Sequence, residues 1–583
     1  MDTYYTNEIN TQIVISLLKS HGIRKVIASP GTTNIRLVAS MQQDSWFDII
    51  SAPDERSAAY IACGMAEEFG EPVVLSCTGA TASRNYIPGL TEAFYRKLPI
   101  IAITSTQHMG RIGQNVAQVL DRTQQLNDMV KLSVQVPTCH TDEDKRSCEV
   151  KINNTLLECR RNGGGPVHIN LETTYSGDFS IKELPRAGVI NRYTYEQKLP
   201  ELKNNKKIAI FVGAHSKWTK ELTNSVNEFC EKYNAVVLCD HTSNYKEKYR
   251  AFFSLVTSQS FYSPLCKNID LLIYIGNISG AYPDLISKEE WRVNPDGEIR
   301  DTFNHLTNVF EMSEEYFFNY YSQKIDIKSD DSYIKEWKNE YANIYNKIGE
   351  LPFSNIWMAK ETSKLLPKDS ILHLGILNSL RSWNFFDIDK SIMGYSNTGG
   401  FGIDGILSTA IGAALASPDK LVFCVIGDLA FFYDMNSLGN HYLPKNLRIL
   451  LINNGVGVEF KNYNHYAAKF GDDADEYIAA ARHYGNKSTE LVKHYSQDLG
   501  FEYMSASNKD EFLVNVKNLV KDDRKKPIIL EAFTDSKDES KALEIIKTLE
   551  YDTKGKIKSD VKKIVKNIAG DKGISTIKRI LRK

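Results

Sequence analysis

The chain has 583 residues, of which 42% are hydrophobic and 25% charged, and its formal net charge is −1. That length exceeds what one hydrophobic core serves, so about three or four domains are expected, and the balanced charge gives no reason to expect nucleic acid as a partner. The nine cysteines form no CxxC pair, and no apolar run approaches the ~20 residues that cross a bilayer, which leaves neither a disulfide framework, a zinc site nor a membrane span to expect.

In chain order, the opening MDTYYTNEINTQ carries neither a basic nor an apolar leader region, so a reducing cytoplasm is the expected compartment. Short β-branched runs then alternate with helix-like segments. KVIASPG, FDIISA, VVLSCTG, PIIAITS and PVHINL form a first block ending near Leu171. IAIFVG, AVVLCD and LLIYIG form a second, between about Lys203 and Phe318. SILHLG, IMGYSN, LVFCVIGD, LRILLINN and PIILEAF form a third. This alternation predicts an α/β chain with three doubly wound parallel-sheet domains. Lysine-rich connections near Ile181–Lys207 and Lys324–Lys347 suggest limits of 1–185, 186–345 and 346–540, followed by a basic tail over 541–583. In the tail, Val561, Ile564, Val565 and Ile568 recur at helical spacing among lysines. That pattern fits an amphipathic helix resting on its own subunit, on a partner or on an anionic membrane surface. The middle block lacks G-x-G-x-x-G after its first strand, where FVGAHSK has one glycine, and reads as structural.

Two stretches carry chemistry. APDERSAAYIACGMA (Ala52–Ala66) follows FDIIS and opens a helix, with Ala58, Ala59, Ile61, Ala62 and Met65 on its apolar face. Glu55 then lies in the first turn, at the C-terminal edge of a sheet, where a carboxylate also answers the helix dipole. In the third block, Val422–Ile426 and Leu447–Ile452 read as buried parallel strands that run out into Asp428 and Asn454. That edge is where open α/β sheets bind ligands, and a carboxylate with an amide oxygen is the hard donor set Mg²⁺ prefers. Asp and Asn are equally ordinary turn residues, so these two positions alone do not separate a site from a pair of turns.

Taken together, the helix opening on glutamate, the middle block and the GD…NN pair resemble the thiamine diphosphate (ThDP) enzymes, namely the 2-oxo acid decarboxylases and the acetolactate-synthase-like enzymes. Six motifs in order are most similar to the menaquinone-pathway synthase family: SPGTTNIRL (Ser29–Leu37), DERSA (Asp54–Ala58), CTGATASRNYIPG (Cys77–Gly89), GPVHIN (Gly165–Asn170), FGIDGILSTAIG (Phe401–Gly412) and GDLAFFYDMNSL (Gly427–Leu438). GDL in place of the commoner GDG is itself a mark of that branch. The resemblance covers about residues 5 to 535 and implies pyrimidine-binding, central and diphosphate-binding domains in that order. It further implies that Asp428, Asn454 and the Val456 carbonyl hold Mg²⁺ against the cofactor diphosphate. Gly427, Leu429, Ala430 and Ser379 would lie beside the cofactor, and a helix from near Tyr433 would add N–H groups. Glu55 would hydrogen-bond the aminopyrimidine ring and promote the tautomer that takes the thiazolium proton. Ile403 falls where the family bends the cofactor, and reads equally as a core isoleucine. In the family the glutamate and the metal residues meet across a subunit interface, which implies a homodimer or homotetramer.

The chain departs from that family in its cations. Read without gaps, the family's substrate-binding arginines correspond here to Thr33, Gln107, Thr398 and Trp383, with Arg381 close to the last. Each charge-assisted bond lost is about 1.5–3 kcal/mol, so isochorismate is not the expected substrate. The residues that remain, Thr33, Asn34, Gln107, His108, Asn115 and Gln118, suit a hydroxylated neutral acceptor such as a sugar. His108 and Gln118 are candidate catalytic residues, His108 as a proton shuttle or simply a solvated loop residue. Glu459 follows NNGVGV, where the family carries an apolar residue near the thiazolium. A carboxylate there serves proton transfer, orients a hydroxyl or a cation, or points to solvent. The expected activity is ThDP- and Mg²⁺-dependent decarboxylation of a small 2-oxo acid with carbon–carbon bond formation on an acceptor. The alternatives are a simple 2-oxo acid decarboxylase, a non-catalytic scaffold of the same fold, and an FAD-binding oxidase.

Overall fold

The computed structural model describes residues 4–551 apart from 204–205, 216–217, 327 and 482–487. The tail helix expected beyond Ser559 lies outside the described residues. The chain forms two compact units, one built from residues 4–197 with 297–311 and the other from 198–296 with 312–551.

In the first unit the six strands β1 (Lys25–Ala28), β2 (Asp48–Ser51), β3 (Val73–Cys77), β4 (Ile100–Thr106), β5 (Ser133–Val136) and β6 (Val167–Glu172) form one sheet in the order β2-β1-β3-β4-β6-β5. Every pairing is parallel. Alternate residues of these strands enter two separate cores. Val26, Val74, Ile101, Ile103, Val167 and Ile169 pack with Ile13, Val14 and Leu17 of the helix Ile9–Ser20 and with Ile152 and Leu156 of the helix Asp142–Glu158. Ile27, Val73, Leu75, Ile100 and Ala102 pack on the other face with Ala58, Ala59 and Ala62 of the helix Glu55–Phe69 and with Leu90 and Ala93 of the helix Ile87–Arg96. The central strands β1, β3, β4 and β6 are buried on both faces, which is why they read as nearly unbroken apolar runs.

Further on come β7 (Asn191–Tyr193), β8 (Ile208–Val212), β9 (Val236–Cys239), β10 (Arg250–Phe252), β11 (Asn268–Ile275), β12 (Ile286–Val293) and β13 (Leu306–Phe310). β7 and β13 pair in parallel within the first unit, with Asn308 opposite Asn191. In the second unit the order is β10-β9-β8-β11-β12, again parallel throughout.

The last sheet lies wholly in the second unit. It comprises β14 (Ile371–Leu374), β15 (Met393–Tyr395), β16 (Val422–Gly427), β17 (Leu447–Asn453), β18 (Glu502–Ala506) and β19 (Ile528–Phe533), in the order β15-β14-β16-β17-β19-β18. Counted from its own first strand it reads 2-1-3-4-6-5, the same order as the first sheet. β16 and β17 are fully buried up to their last residues and run in register, with Gly427 opposite Ile452. The helix expected near Tyr433 begins earlier, at Asp428, directly from the end of β16, and ends at Asp434.

Candidate functional site

In the first unit, the helix Glu55–Phe69 is fixed at both ends. The Asp54 carboxylate accepts from the Ser57 N–H at 2.9 Å, and Gly70 closes the helix at φ 64° with its N–H on the Ala66 carbonyl. Asp cap and left-handed Gly are the residues those positions favour. Glu55 is thereby held as the first helical residue, half-buried, with its Oε2 accepting from Asn85 Nδ2 at 3.3 Å. Asn85 ends the short helix Thr81–Asn85, which starts after Ala80, a non-glycine residue at φ 60° and ψ −137°. That sparsely populated conformation follows Gly79, where a Cβ would meet Arg122 Nη1 at 2.8 Å and the Gln118 carbonyl oxygen at 3.0 Å. The loop carrying Gln118 is thus pressed against the end of β3, with Gln118 itself at φ 65° and exposed.

Thr33 is buried, its hydroxyl 2.5 Å from Thr78 Oγ1 and donating to the Ser105 carbonyl at 3.0 Å. Asn34 is buried beside it and donates to the Ser29 carbonyl at 2.9 Å. Gln107 accepts from Arg111 at 2.5 Å, and Asn115 is exposed at φ 57°. His108 is exposed, and its Nδ1 accepts from the Gly110 N–H at 3.1 Å, which caps a single turn.

The second unit gathers the residues after β16 and β17. Asp428 is 3% exposed and its two oxygens accept from Leu429 N–H at 2.9 Å and Gly455 N–H at 2.7 Å. The second of these bonds ties the end of β16 to the turn after β17. It sets Asp428 beside Asn454 and Val456, where Asn454 Oδ1 is 3.3 Å from the Val456 nitrogen. Burial pushes the Asp428 carboxyl up to about 6, against the pull of the two N–H donors. No cation pairs with Asp428 among the described residues, and a buried carboxylate in that position is costly until a positive charge neutralises it. No three His, Cys, Asp or Glu side chains gather into a metal cluster among the described residues. The donors on hand are one carboxylate, one amide oxygen and a backbone carbonyl, all hard oxygens, and they fit Mg²⁺. Gly427, Leu429 and Ala430 run through the same strand–helix junction. A cavity of about 400 Å³ opens beside it, walled by Asn454, Val456, Lys461, Asp475, Ser536 and Lys541 among others.

Ser379 is buried at the end of β14, on the helix Asn378–Trp383 that Leu377 opens at φ 62°. Its hydroxyl accepts from Asn355 Nδ2 at 3.3 Å. Ile403 is half-buried against the core that includes Ile406, Leu407 and Ala410. Trp383, at one of the lost-arginine positions, is 1% exposed, and Thr398, at another, is 5% exposed.

Two features were not visible in the sequence. Glu459 faces Arg381 in a two-pronged ion pair, with Oε2 to Nη1 at 2.7 Å and Oε1 to Nη2 at 2.9 Å. Of the three uses open to Glu459, the arrangement is that of a carboxylate holding a cation. Glu539, 2% exposed, accepts from the Asn355 N–H at 3.0 and 3.1 Å and from Thr534 at 2.8 Å. Burial, with a smaller push from the charge on Asp428, raises its carboxyl to about 7. The only sequence signal for Glu539 was a glutamate in the first turn after β19, which many helices have.

The comparisons with known proteins follow the same division. The family model described as "Thiamine pyrophosphate enzyme, N-terminal TPP binding domain" matches residues 10–126, and its C-terminal counterpart matches residues 379–530. A 2-succinyl-5-enolpyruvyl-6-hydroxy-3-cyclohexene-1-carboxylate synthase of Phocaeicola vulgatus is 31% identical over 572 residues, covering 92% of this chain and 98% of the relative. The synthase of the same name from Bacteroides thetaiotaomicron is 30% identical over the same shares. Among solved structures, the Rhodococcus jostii RHA1 thiamine diphosphate-dependent 4-hydroxybenzoylformate decarboxylase aligns with 90% of this chain and 99% of that one at 17% identity, with a TM-score of 0.40. The full-length match to the synthases and the two domain matches flanking the central segment lead to one conclusion: the chain belongs to the thiamine pyrophosphate (ThDP) enzyme family, whose cofactor is thiamine diphosphate with a divalent metal ion.

Proposed function

We propose that this enzyme decarboxylates a 2-oxo acid and transfers the resulting acyl unit to a hydroxylated, uncharged acceptor such as a sugar, forming a carbon–carbon bond. ThDP, when bound, supplies the nucleophile and the electron sink for loss of carbon dioxide. The chain's own part falls to a few residues. Glu55 would hydrogen-bond the aminopyrimidine ring of the cofactor and serve as its proton partner, from a helix start that keeps the carboxylate at the C-terminal edge of the first sheet. Asp428, Asn454 and the Val456 carbonyl would hold the metal, whose charge would offset the cost of burying the Asp428 carboxylate. Ser379 and Ile403 line the cofactor, while Gln118 and His108 are the polar residues offered to the acceptor.

The Arg381–Glu459 pair is the observation that carries the acceptor reading. A polyanionic acceptor needs free guanidinium groups, and the arginine nearest the family's motif already has both prongs on a carboxylate. A second reading, synthesis of the product named for the curated relatives, is favoured by 31% identity across 98% of one of them. Domain limits at 185, 345 and 540, and active sites shared between two subunits, belong to the same proposal.

The test is carbon dioxide release with ThDP and Mg²⁺ across a panel of 2-oxo acids, with and without sugar acceptors and isochorismate, beside a Glu55→Gln control. Release that requires Glu55 and a sugar supports the proposal. Release that requires isochorismate establishes the second reading. Release without any acceptor indicates a simple decarboxylase, and no release together with no ThDP binding leaves a scaffold.

A further inference from the structure

We infer that Cys139 and Cys148 are a redox-sensitive thiol pair, which hydrogen peroxide or an organic hydroperoxide closes to a disulfide. The two sulfurs lie 3.5 Å apart. Cys139 sits in the loop after β5, and Cys148 in the second turn of the helix Asp142–Glu158. The capping box between Thr141 and Asp144 fixes where that helix starts, so the loop meets it at a set point. Cys148 is buried in the core with Ile152 and Leu156, and Cys139 packs against that core.

Of the nine cysteines, all among the described residues, eight are buried and Cys139 is half-exposed. An oxidant in solution therefore meets Cys139 first. The Cys148 S–H beside it holds the Cys139 thiol below its ordinary value, against burial and the Asp144 carboxylate. The same contact, with burial, pushes the Cys148 thiol up. The thiolate is the form that attacks an oxidant, so the two sulfurs take different parts.

The Cys139 thiolate attacks one peroxide oxygen and the O–O bond breaks. The departing hydroxide takes up the proton that Cys139 had released and leaves as water. Cys139 is then a sulfenic acid. The Cys148 sulfur gives up its proton and attacks the Cys139 sulfur. The S–S bond forms, the S–O bond breaks, and the leaving hydroxide takes the Cys148 proton as a second water. Two thiols and one peroxide become one disulfide and two waters. The sulfurs must approach by about 1.5 Å to reach the ~2.05 Å of a disulfide. That movement falls to the loop, since Cys148 is fixed in the core. Disulfides in reducing compartments are characteristically transient and redox-sensing, and all nine cysteines here are free thiols. The pair lies in the first unit and is independent of the reaction proposed above.

The experiment treats the full-length protein with hydrogen peroxide at about a tenfold molar excess, alkylates the remaining thiols and maps tryptic peptides. Peptide 132–145 is expected linked to peptide 147–151. The link should form at least about tenfold faster than any change at the other cysteines, and dithiothreitol should undo it. Cys148→Ala is expected to stop at a Cys139 sulfenic acid that dimedone traps. Cys139→Ser, at a half-exposed loop position, is expected to keep all its remaining thiols. The linked peptides are read on the unmutated protein, so that result stands if a variant fails to fold. Absence of the link, equal loss of thiol at the buried cysteines, or passage of Cys139 to an irreversible sulfinic acid would each overturn the inference.

Discussion

Asp428 permits a prediction worked from its surroundings. Burial raises its carboxyl from 3.8 to about 6, which at 1.36 kcal/mol per factor of ten is a cost of about 3 kcal/mol for the ionised fold without metal. A raised acid stabilises the fold fully below pH 3.8, and that contribution is lost as pH rises through about 6. Between pH 4.5 and 7.5 the loss comes to about 2 kcal/mol. Asp428→Asn removes the charge but turns an NH₂ toward one of the two N–H donors, Leu429 or Gly455, at a pH-independent cost of about 1–3 kcal/mol. The stability of the unmutated protein minus that of the variant therefore isolates the charge, whatever the fixed offset. Urea unfolding of both proteins in EDTA across that pH range should show the difference falling by about 2 kcal/mol. Mg²⁺ with ThDP should abolish the fall in the unmutated protein and leave the variant unmoved. A difference that stays level with pH, or one that metal and cofactor do not change, would refute this account of the site.

Other substitutions test other parts of the molecule. Glu55→Gln should reduce carbon dioxide release by about 10²–10⁴-fold yet leave the melting temperature nearly unchanged, since the side chain makes one long bond to Asn85. Glu459→Gln should release the Arg381 guanidinium and tighten inhibition by a dicarboxylate by about tenfold or more, as one charge-assisted bond becomes available; unchanged inhibition would show that the pair lies away from the acceptor. Gly79→Ala should cost about 1–3 kcal/mol by overpacking, because its new Cβ meets Arg122 and the Gln118 carbonyl, and its unfolding midpoint should fall accordingly.

What was legible in the sequence follows from burial. β16 is buried up to Gly427 and β17 along its whole length, so their apolar runs end at the right residues and deliver Asp428 and Asn454 to one edge. β5 and β18 lie at sheet edges and carry Ser133, Gln135, Glu502 and Ser505, so no apolar run announces them. β12 mixes Lys288, Glu289 and Glu290 into its run and was hidden for the same reason. The helix at Asp428 was expected too late because the backbone turns directly from strand to helix without a loop. Arg381 and Glu459 are separated by most of a domain in sequence, and only the folded sheet makes them a pair. Nothing in the residues flanking Arg122 announces that it is buried, at 1% exposure.

The repeated strand order of the first and last sheets has a genetic consequence. Glu55 belongs to one copy of the fold and Asp428 to the other, each in its own compact unit. In a homodimer whose sites draw one unit from each chain, a subunit with Glu55→Gln and a subunit with Asp428→Asn would assemble one doubly damaged site and one intact site. Two inactive alleles expressed together would then complement, restoring up to half the turnover of each mixed dimer. Placing both substitutions on one chain and mixing it with unmutated chains would instead leave every site of the mixed dimer lacking one residue.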